Sequence, residues 1–310
     1  MAAHSLWCEK YRPTKLTEYV FKDEHQRKLL QNWVDEKNIP HCLFTGSPGV
    51  GKTSLAKVLI NELDINPYDV LEINASRTNS IDDVRNKIVN FVQMMPFGDF
   101  KVVLLDESDF LSISAQAALR GVFEEYHNTA RFILTANQKN RIIPAIHSRC
   151  QGFHIEKIDQ TEFTARVATI LLTEEIYFDL DRLDTYVKAT YPDLRKCINM
   201  LQMNSIQGVL HQPDTNDAGT SDYKLEMVDL FKKGKIQEAR KLICSQARPE
   251  EFEEIFTWLY QNVELFGDTQ RKQDDAVLEI KKGLVDHVSC SDSEINMSAV
   301  LINLCRIYEK

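Results

Sequence analysis

Gly46-Ser47-Pro48-Gly49-Val50-Gly51-Lys52-Thr53 matches the phosphate-binding loop pattern at every fixed position. Before it, Cys42, Leu43 and Phe44 read as a buried strand; after it, Leu55, Val58, Leu59 and Leu63 return at helical spacing. Strand, glycine loop and helix in that order separate the loop from a chance glycine turn carrying a surface lysine. The glycines let the backbone curl so that its N–H groups and the helix N-terminus face an anion. Lys52 then serves as a point charge for the β- and γ-phosphates, and the Thr53 hydroxyl as a ligand for Mg²⁺. The stretch from Gly46 through Ser54 is thus read as a nucleoside triphosphate site.

Around the loop, from Pro40 to about Phe153, strand-like and helix-like segments alternate. Strands are expected at 41–45, 70–73, 101–105 and 131–136, separated by helices at 53–63, 81–93 and 115–125. That alternation predicts an α/β fold with a parallel sheet covered on both faces. From Thr161 to Gln207 the strand signal gives way to helical periodicity. A polar, Pro/Gly/Ser-containing cluster at 212–222 reads as a linker, and amphipathic helices follow it. The expected division is a nucleotide-binding α/β domain at 1–154, a helical lid at 155–210, a linker at 211–222 and an all-α domain at 223–310.

Composition narrows the function classes. The chain has 310 residues, 43% hydrophobic and 27% charged, which is ordinary for a globular protein. Its apolar runs are far too short for a membrane span, and the start lacks a signal-peptide core. Seven cysteines are scattered with no Cys-x-x-Cys pair, so neither a zinc site nor a disulfide framework is indicated, and a reducing cytoplasm is expected. A net charge of −9 argues against nucleic-acid binding by the whole surface, while leaving room for a locally basic channel.

The apolar strand 102–105 ends in Asp106 and Glu107. A carboxylate at that strand tip is where a nucleotide-bound Mg²⁺ needs support, and the next acid is suited to orient or deprotonate the attacking water. Alone, such a pair is equally a helix cap, with Ser108 and Asp109 following; downstream of a phosphate loop the catalytic reading is the stronger.

Asp106-Glu107-Ser108-Asp109, together with Trp7-Cys8-Glu9-Lys10-Tyr11-Arg12-Pro13 and Ser148-Arg149-Cys150, resembles the small subunits of replication factor C, which are AAA+ sliding-clamp loaders. The C-terminal region, with Ala247-Arg248-Pro249-Glu250-Glu251-Phe252 opening a helical domain, looks most like the large subunit of the T-even-type phage clamp loader. These motifs are dense from Trp7 to Asn199; beyond that the likeness is one of helical character and length.

The resemblance implies ATP and Mg²⁺ as ligands and a C-terminal collar that joins subunits, in a pentamer. It implies a sliding clamp and primer–template DNA as partners, no membrane, and a cytoplasmic setting (an infected bacterium's, if the chain is phage-encoded). It also implies roles. Cys8 to Pro13 would pack across the adenine with Val20, although Phe21 stands where the family usually has glycine. Asn137, in Thr135-Ala136-Asn137, would be sensor 1, at the γ-phosphate or the attacking water. Arg195, in Asp193-Leu194-Arg195-Lys196, would be sensor 2, reaching the same nucleotide from the lid. Arg149 would act in trans on a neighbour's ATP as an arginine finger, a task that suits an always-charged guanidinium.

Two surfaces follow from the same resemblance. Arg77, Thr78, Asn79 and Ser80 at a helix N-terminus, with Arg85 and Arg120, would contact DNA phosphates without reading bases; otherwise these arginines are solvated surface. Gln116 sits where the family couples DNA contact to the catalytic acids. Phe91, Met94, Met95 and Phe97 form a soft stretch suited to docking the clamp, or to packing the end of their own helix. The nearest rivals are a branch-migration helicase, which would end in a winged helix, and a scaffold subunit that binds nucleotide without hydrolysing it.

Overall fold

The computed structural model describes residues 6–77, 81–155, 158–211 and 223–309, with the side chains of 81–85 outside that description. The chain divides into two compact units, one of Met1–Phe178 and Thr190–Leu210, the other of Asp179–Ala189 and His211–Lys310. The segment expected to form a separate lid is therefore shared between them, and the expected linker at 212–222 lies outside the described residues.

The first unit opens with α1 (Trp7–Lys10) and α2 (Glu24–Asp35) and continues as β1 (Cys42–Thr45), α3 (Lys52–Glu62), β2 (Val70–Asn74) and α4 (Ile81–Gln93). Next come β3 (Lys101–Asp106), α5 (Ile113–Glu125), β4 (Ala130–Ala136), α6 (Pro144–His147) and β5 (Gln151–His154). All five strands are parallel, in the order β2-β3-β4-β1-β5. Sequence patterning anticipates the first four. It passes over β5 because only Phe153 of that edge strand is buried, leaving no apolar run to read.

The sheet holds because β3 and β4 are apolar on both faces. Val102, Val103, Leu104, Leu105, Phe132, Ile133 and Leu134 are all buried, as a strand covered by helices on each side requires. The register pairs Leu105 with Leu134, which puts Asp106 and Thr135 side by side at the carboxyl ends of these strands. Helix starts are set by side-chain caps that satisfy free backbone N–H groups. Asp23 accepts from Gln26 N at 2.8 Å, Ser112 from Ala115 N at 3.2 Å and Asp159 from Glu162 N at 2.8 Å. Asp159 begins α7 (Gln160–Thr173), which is followed by α8 (Leu180–Thr190) and α9 (Leu194–Asn204). A short antiparallel pair, β6 (Ser205–Ile206) and β7 (Val209–Leu210), ends the unit where helix alone was expected.

In the second unit, α8 joins α10 (Tyr223–Lys232), α11 (Ile236–Gln246), α12 (Phe252–Gln261), α13 (Gln270–Ser289) and α14 (Ser293–Glu309). Phe231, Phe252, Phe256, Trp258 and Phe266 share its core. Lys232 pairs with Asp184 at 3.0 Å, and Trp258 Nε1 donates to Lys188 O at 2.8 Å, so α8 is tied to the later helices. Helix α13 escapes sequence patterning because its buried stripe is only Ala276, Ile280 and Gly283. Glycine is needed at 283, where a Cβ would lie 2.2 Å from Val300 Cγ2. Among the described residues no helix is long and apolar enough to cross a membrane.

Candidate nucleotide site

The phosphate loop leaves the end of β1 and enters α3 at Lys52. Its tightest point is Gly49, at φ 77°, where a Cβ would lie 1.9 Å from Asp193 Oδ1; only glycine lets the loop approach the start of α9 so closely. Lys52 is 7% exposed, and its ammonium donates to Gly46 O at 2.8 Å and Ser47 O at 2.7 Å. Among the described residues it forms no ion pair. Burial brings its pKa down to about 8, against the opposing pull of Asp109 and Asp106. A desolvated cation held only by carbonyl oxygens, next to the backbone of a glycine loop, fits a polyphosphate.

The acidic box is organised around one oxygen. Asp106 Oδ1 accepts from Thr53 Oγ1 at 2.7 Å and from Thr135 Oγ1 at 2.6 Å. Because Thr53 donates its proton to Asp106, its oxygen lone pairs are left for a cation, so the pair fits Mg²⁺. Glu107 has left-handed backbone angles, φ 56° and ψ 44°, and its N–H donates to Thr135 Oγ1 at 3.0 Å. Asp109, 6% exposed, accepts from the amides of Asn137 and Gln138, each at 3.2 Å, which fixes the backbone of the half-buried Asn137. Gln116 is also a backbone staple. Its amide donates to Leu111 O and Arg141 O at 3.1 and 3.0 Å, and its oxygen accepts from Ile143 N at 2.9 Å.

A cavity beside the loop gathers Cys8, Tyr11, Arg12, Pro13, Val20, Gly49, Val50, Gly51, Ser54 and Arg195, all anticipated from sequence. Glu9 and Lys10, expected with them, do not line it. Both side chains are exposed, and each is taken up by an ion pair instead: Glu9 with Arg12 at 2.8 Å and Lys10 with Glu174 at 2.7 Å. Phe21, the departure from the family's glycine, is a buried residue packed edge-on to Tyr19 at 4.9 Å. The exposed Arg195 borders this cavity and also the open groove that holds Thr53, Asp106 and Arg77.

Other expected site residues lie elsewhere. Arg149 does not line the nucleotide cavity; its guanidinium is engaged by Glu124 and by Ala145 O, the latter at 2.8 Å. Arg77 and Arg120 are exposed, Arg120 beside Glu124 at 3.6 Å. Thr78, Asn79, Ser80 and the side chain of Arg85 lie outside the described residues. Met94, Met95 and Phe97 are exposed, but Phe91 packs on the sheet's core under the Lys101 ammonium, 4.3 Å from its ring. A helix carries position 91 on the same face as the buried Ile88 and Val92, and that turns Phe91 away from the patch.

Sequence reading missed Glu18, Tyr19, Ile158, Arg166, Leu194 and Ile198 as lining of the cavity, and the joint action of Thr135 and Asp109 on the acidic box. Asp109 stood inside a quoted motif and so had a signal. Arg166, in mid-helix among ordinary residues, had none.

Residues 42–158 match the ATPase family associated with various cellular activities (AAA). A replication factor C small subunit of Sulfurisphaera tokodaii is 41% identical over 207 residues, spanning 66% of this chain and 63% of that protein. Another, of Sulfolobus acidocaldarius, is 35% identical across 100% of this chain and 98% of that one. Among solved structures, the Thermotoga maritima RuvB Holliday junction branch migration motor superposes with a TM-score of 0.54 at 16% identity, over 71% of this chain and 79% of that one. That last likeness is one of fold. The full-length match in sequence, and the phosphate loop and acidic box that geometry brings together, identify the chain as a member of the replication factor C small-subunit family, with an AAA ATPase unit at its front.

Proposed function

We infer that this chain is an ATP-hydrolysing subunit of a sliding-clamp loader. The observation that carries the reading is Lys52, a buried ammonium with no carboxylate partner among the described residues, at the mouth of a glycine loop. Cys8, Tyr11, Arg12, Pro13 and Val20 are taken to hold the base. The backbone N–H groups from Gly46 to Ser54, apart from Pro48, which has none, hold the phosphates together with the Lys52 ammonium. Thr53 and Asp106 are the residues that would hold Mg²⁺, which when bound neutralises charge on the β- and γ-phosphates. Glu107 orients the attacking water, Asn137 reads the γ-phosphate, and Arg195 binds the same nucleotide from α9.

Arg149, which is engaged on the outside of its own chain, is assigned to the nucleotide of a neighbouring subunit. Arg77 and Arg120 are assigned to DNA phosphates, together with Thr78, Asn79, Ser80 and Arg85 from the sequence reading. Met94, Met95 and Phe97 are assigned to the clamp. Pentameric assembly and a particular likeness to the T-even phage large subunit belong to the same proposal. Support for the latter is the turn Pro249–Glu251 leading into α12 at the quoted motif. The described part of the second unit contains helices and no strand, which disfavours a winged-helix ending and hence the helicase reading.

The test is capture of the sliding clamp from the same source by the full chain, with and without a nonhydrolysable ATP analogue. Nucleotide-dependent capture that Lys52→Ala abolishes supports the reading. A chain that binds ATP yet never captures the clamp would sink it.

A further inference from the structure

Thr135 is a hydroxyl in a strand where its neighbours Phe132, Ile133, Leu134 and Ala136 are all apolar and buried, and it is itself only 1% exposed. Valine has the same shape and suits such a position, so the oxygen calls for a reason. Both of its hydrogen-bonding roles are used on the acidic box. The O–H donates to Asp106 Oδ1 at 2.6 Å, and the oxygen accepts the Glu107 N–H at 3.0 Å. One atom therefore touches the two consecutive acids, one through its side chain and the other through its backbone.

The second contact matters because of what Glu107 is doing. Its φ of 56° lies in the left-handed region, which a glutamate occupies only when its surroundings hold it there. Two hydrogen bonds span the residue: its N–H goes to Thr135, and its C=O accepts from Phe110 N at 3.0 Å. With the hydroxyl removed, the N–H end is released and the Cα–Cβ bond of Glu107 is free to turn. Asp106 keeps Thr53 but loses its other clamp on Oδ1.

We propose that Thr135 is a positioning residue for hydrolysis, one hydroxyl that sets the direction of the Asp106 carboxylate and the left-handed backbone of Glu107 together. The inference rests on the ATP-hydrolysing reading above. Thr135 is buried and lines neither the cavity nor the groove of the site, so it acts through the acids.

The test compares full-length Thr135→Val and Thr135→Ser with the parent chain, with Thr135→Ala as companion in case valine disturbs folding. Amide hydrogen exchange of the nucleotide-free chain over residues 104–110 should quicken at Glu107 in the valine and alanine variants and stay slow in the serine variant. ATP affinity measured in EDTA should be unchanged in all of them, because the phosphate loop is intact. Turnover should fall about 10- to 100-fold without the hydroxyl, with the Mg²⁺ requirement shifted upward, and serine should restore both. Parent-like turnover in the valine and alanine variants would overturn the inference, as would a loss that serine shares in full. A parent chain that binds ATP but never hydrolyses it would instead overturn the proposed function, and this inference with it.

Discussion

Arg149 is paired with Glu124 of its own chain, at the end of α5, and has no place around its own nucleotide cavity. The guanidinium in turn holds the Glu124 carboxyl below the usual carboxylate range. Both side chains remain in contact with solvent, so the pair is weak and exchangeable. A phosphate presented by a neighbouring subunit carries more charge than one carboxylate and accepts two parallel N–H bonds, and would displace Glu124.

That arrangement makes the shared-site proposal testable by mixing. Arg149→Ala chains and Lys52→Ala chains should each be nearly inactive in homogeneous assemblies. In mixed assemblies, some interfaces combine an intact phosphate loop with an intact arginine from the next chain, and part of the ATPase activity should return. Mixed assemblies verified to contain both chains that stay at background would remove Arg149 from the neighbour's site.

Glu107→Gln keeps the size and left-handed backbone of the residue and removes only the base. ATP and Mg²⁺ binding should survive, while turnover falls by roughly two to four orders of magnitude. Single-turnover hydrolysis is the measurement, and a Glu107→Gln assembly with parent turnover would exclude the residue from the reaction.

Lys52 carries a pH signature. In the nucleotide-free chain burial lowers its pKa to about 8 from 10.5, and a bound polyphosphate raises it again. Above about pH 8 the free chain has already lost that proton, so binding must take one up. ATP affinity should hold from pH 7 to 8 and then decline, approaching tenfold per pH unit as one proton becomes linked to binding. Titration with a fluorescent ATP analogue from pH 7 to 9.5 reads this directly; a flat profile would contradict it.

The exposed patch of Met94, Met95 and Phe97 is anchored from below. Asp69, fully buried, accepts from Phe97 N at 2.8 Å and Gly98 N at 2.9 Å, and pairs with Lys101 at 3.3 Å. Burial pushes the Asp69 carboxyl up, but the two amides and the ammonium outweigh it and hold the pKa below its ordinary 3.8. Asp69→Ala leaves Lys101 buried without its partner and should cost about 3–5 kcal/mol in urea unfolding at pH 7. Since the native carboxyl is the stronger acid, its contribution is present above about pH 4 and is lost as the pH falls through the native value. The gap between parent and variant should therefore shrink in acid; a gap that is the same at pH 7 and pH 3 would refute the ion pair as its source.

The local chemistry of the site was legible in the chain itself. A phosphate loop is a set of adjacent residues whose backbone geometry is imposed by its own glycines, and Gly46 to Thr53 needed no distant partner to be read. The same holds for β1 to β4, where runs such as Val102 to Leu105 are apolar enough to demand burial, and for Asp106 and Glu107 at the end of such a run. Where a side chain has its partners nearby in sequence, pattern is enough.

Relations across the fold were not legible. Strand β5 has a single buried residue, and α13 buries only a narrow stripe, so neither leaves a periodic signal. The division of α8 from α9 depends on whether Lys232 and Trp258, far along the chain, reach back to it. Phe91 and Phe97 look alike in sequence, and only packing against the sheet turned one inward and left the other outside. Thr135 lies 28 residues from Glu107 and 29 from Asp106, and β-sheet register alone brings its hydroxyl to both. Adjacent residues state their chemistry through covalent neighbourhood; partners that meet through the sheet do so only once the hydrophobic core has set the register, and the tertiary structure is where that is decided.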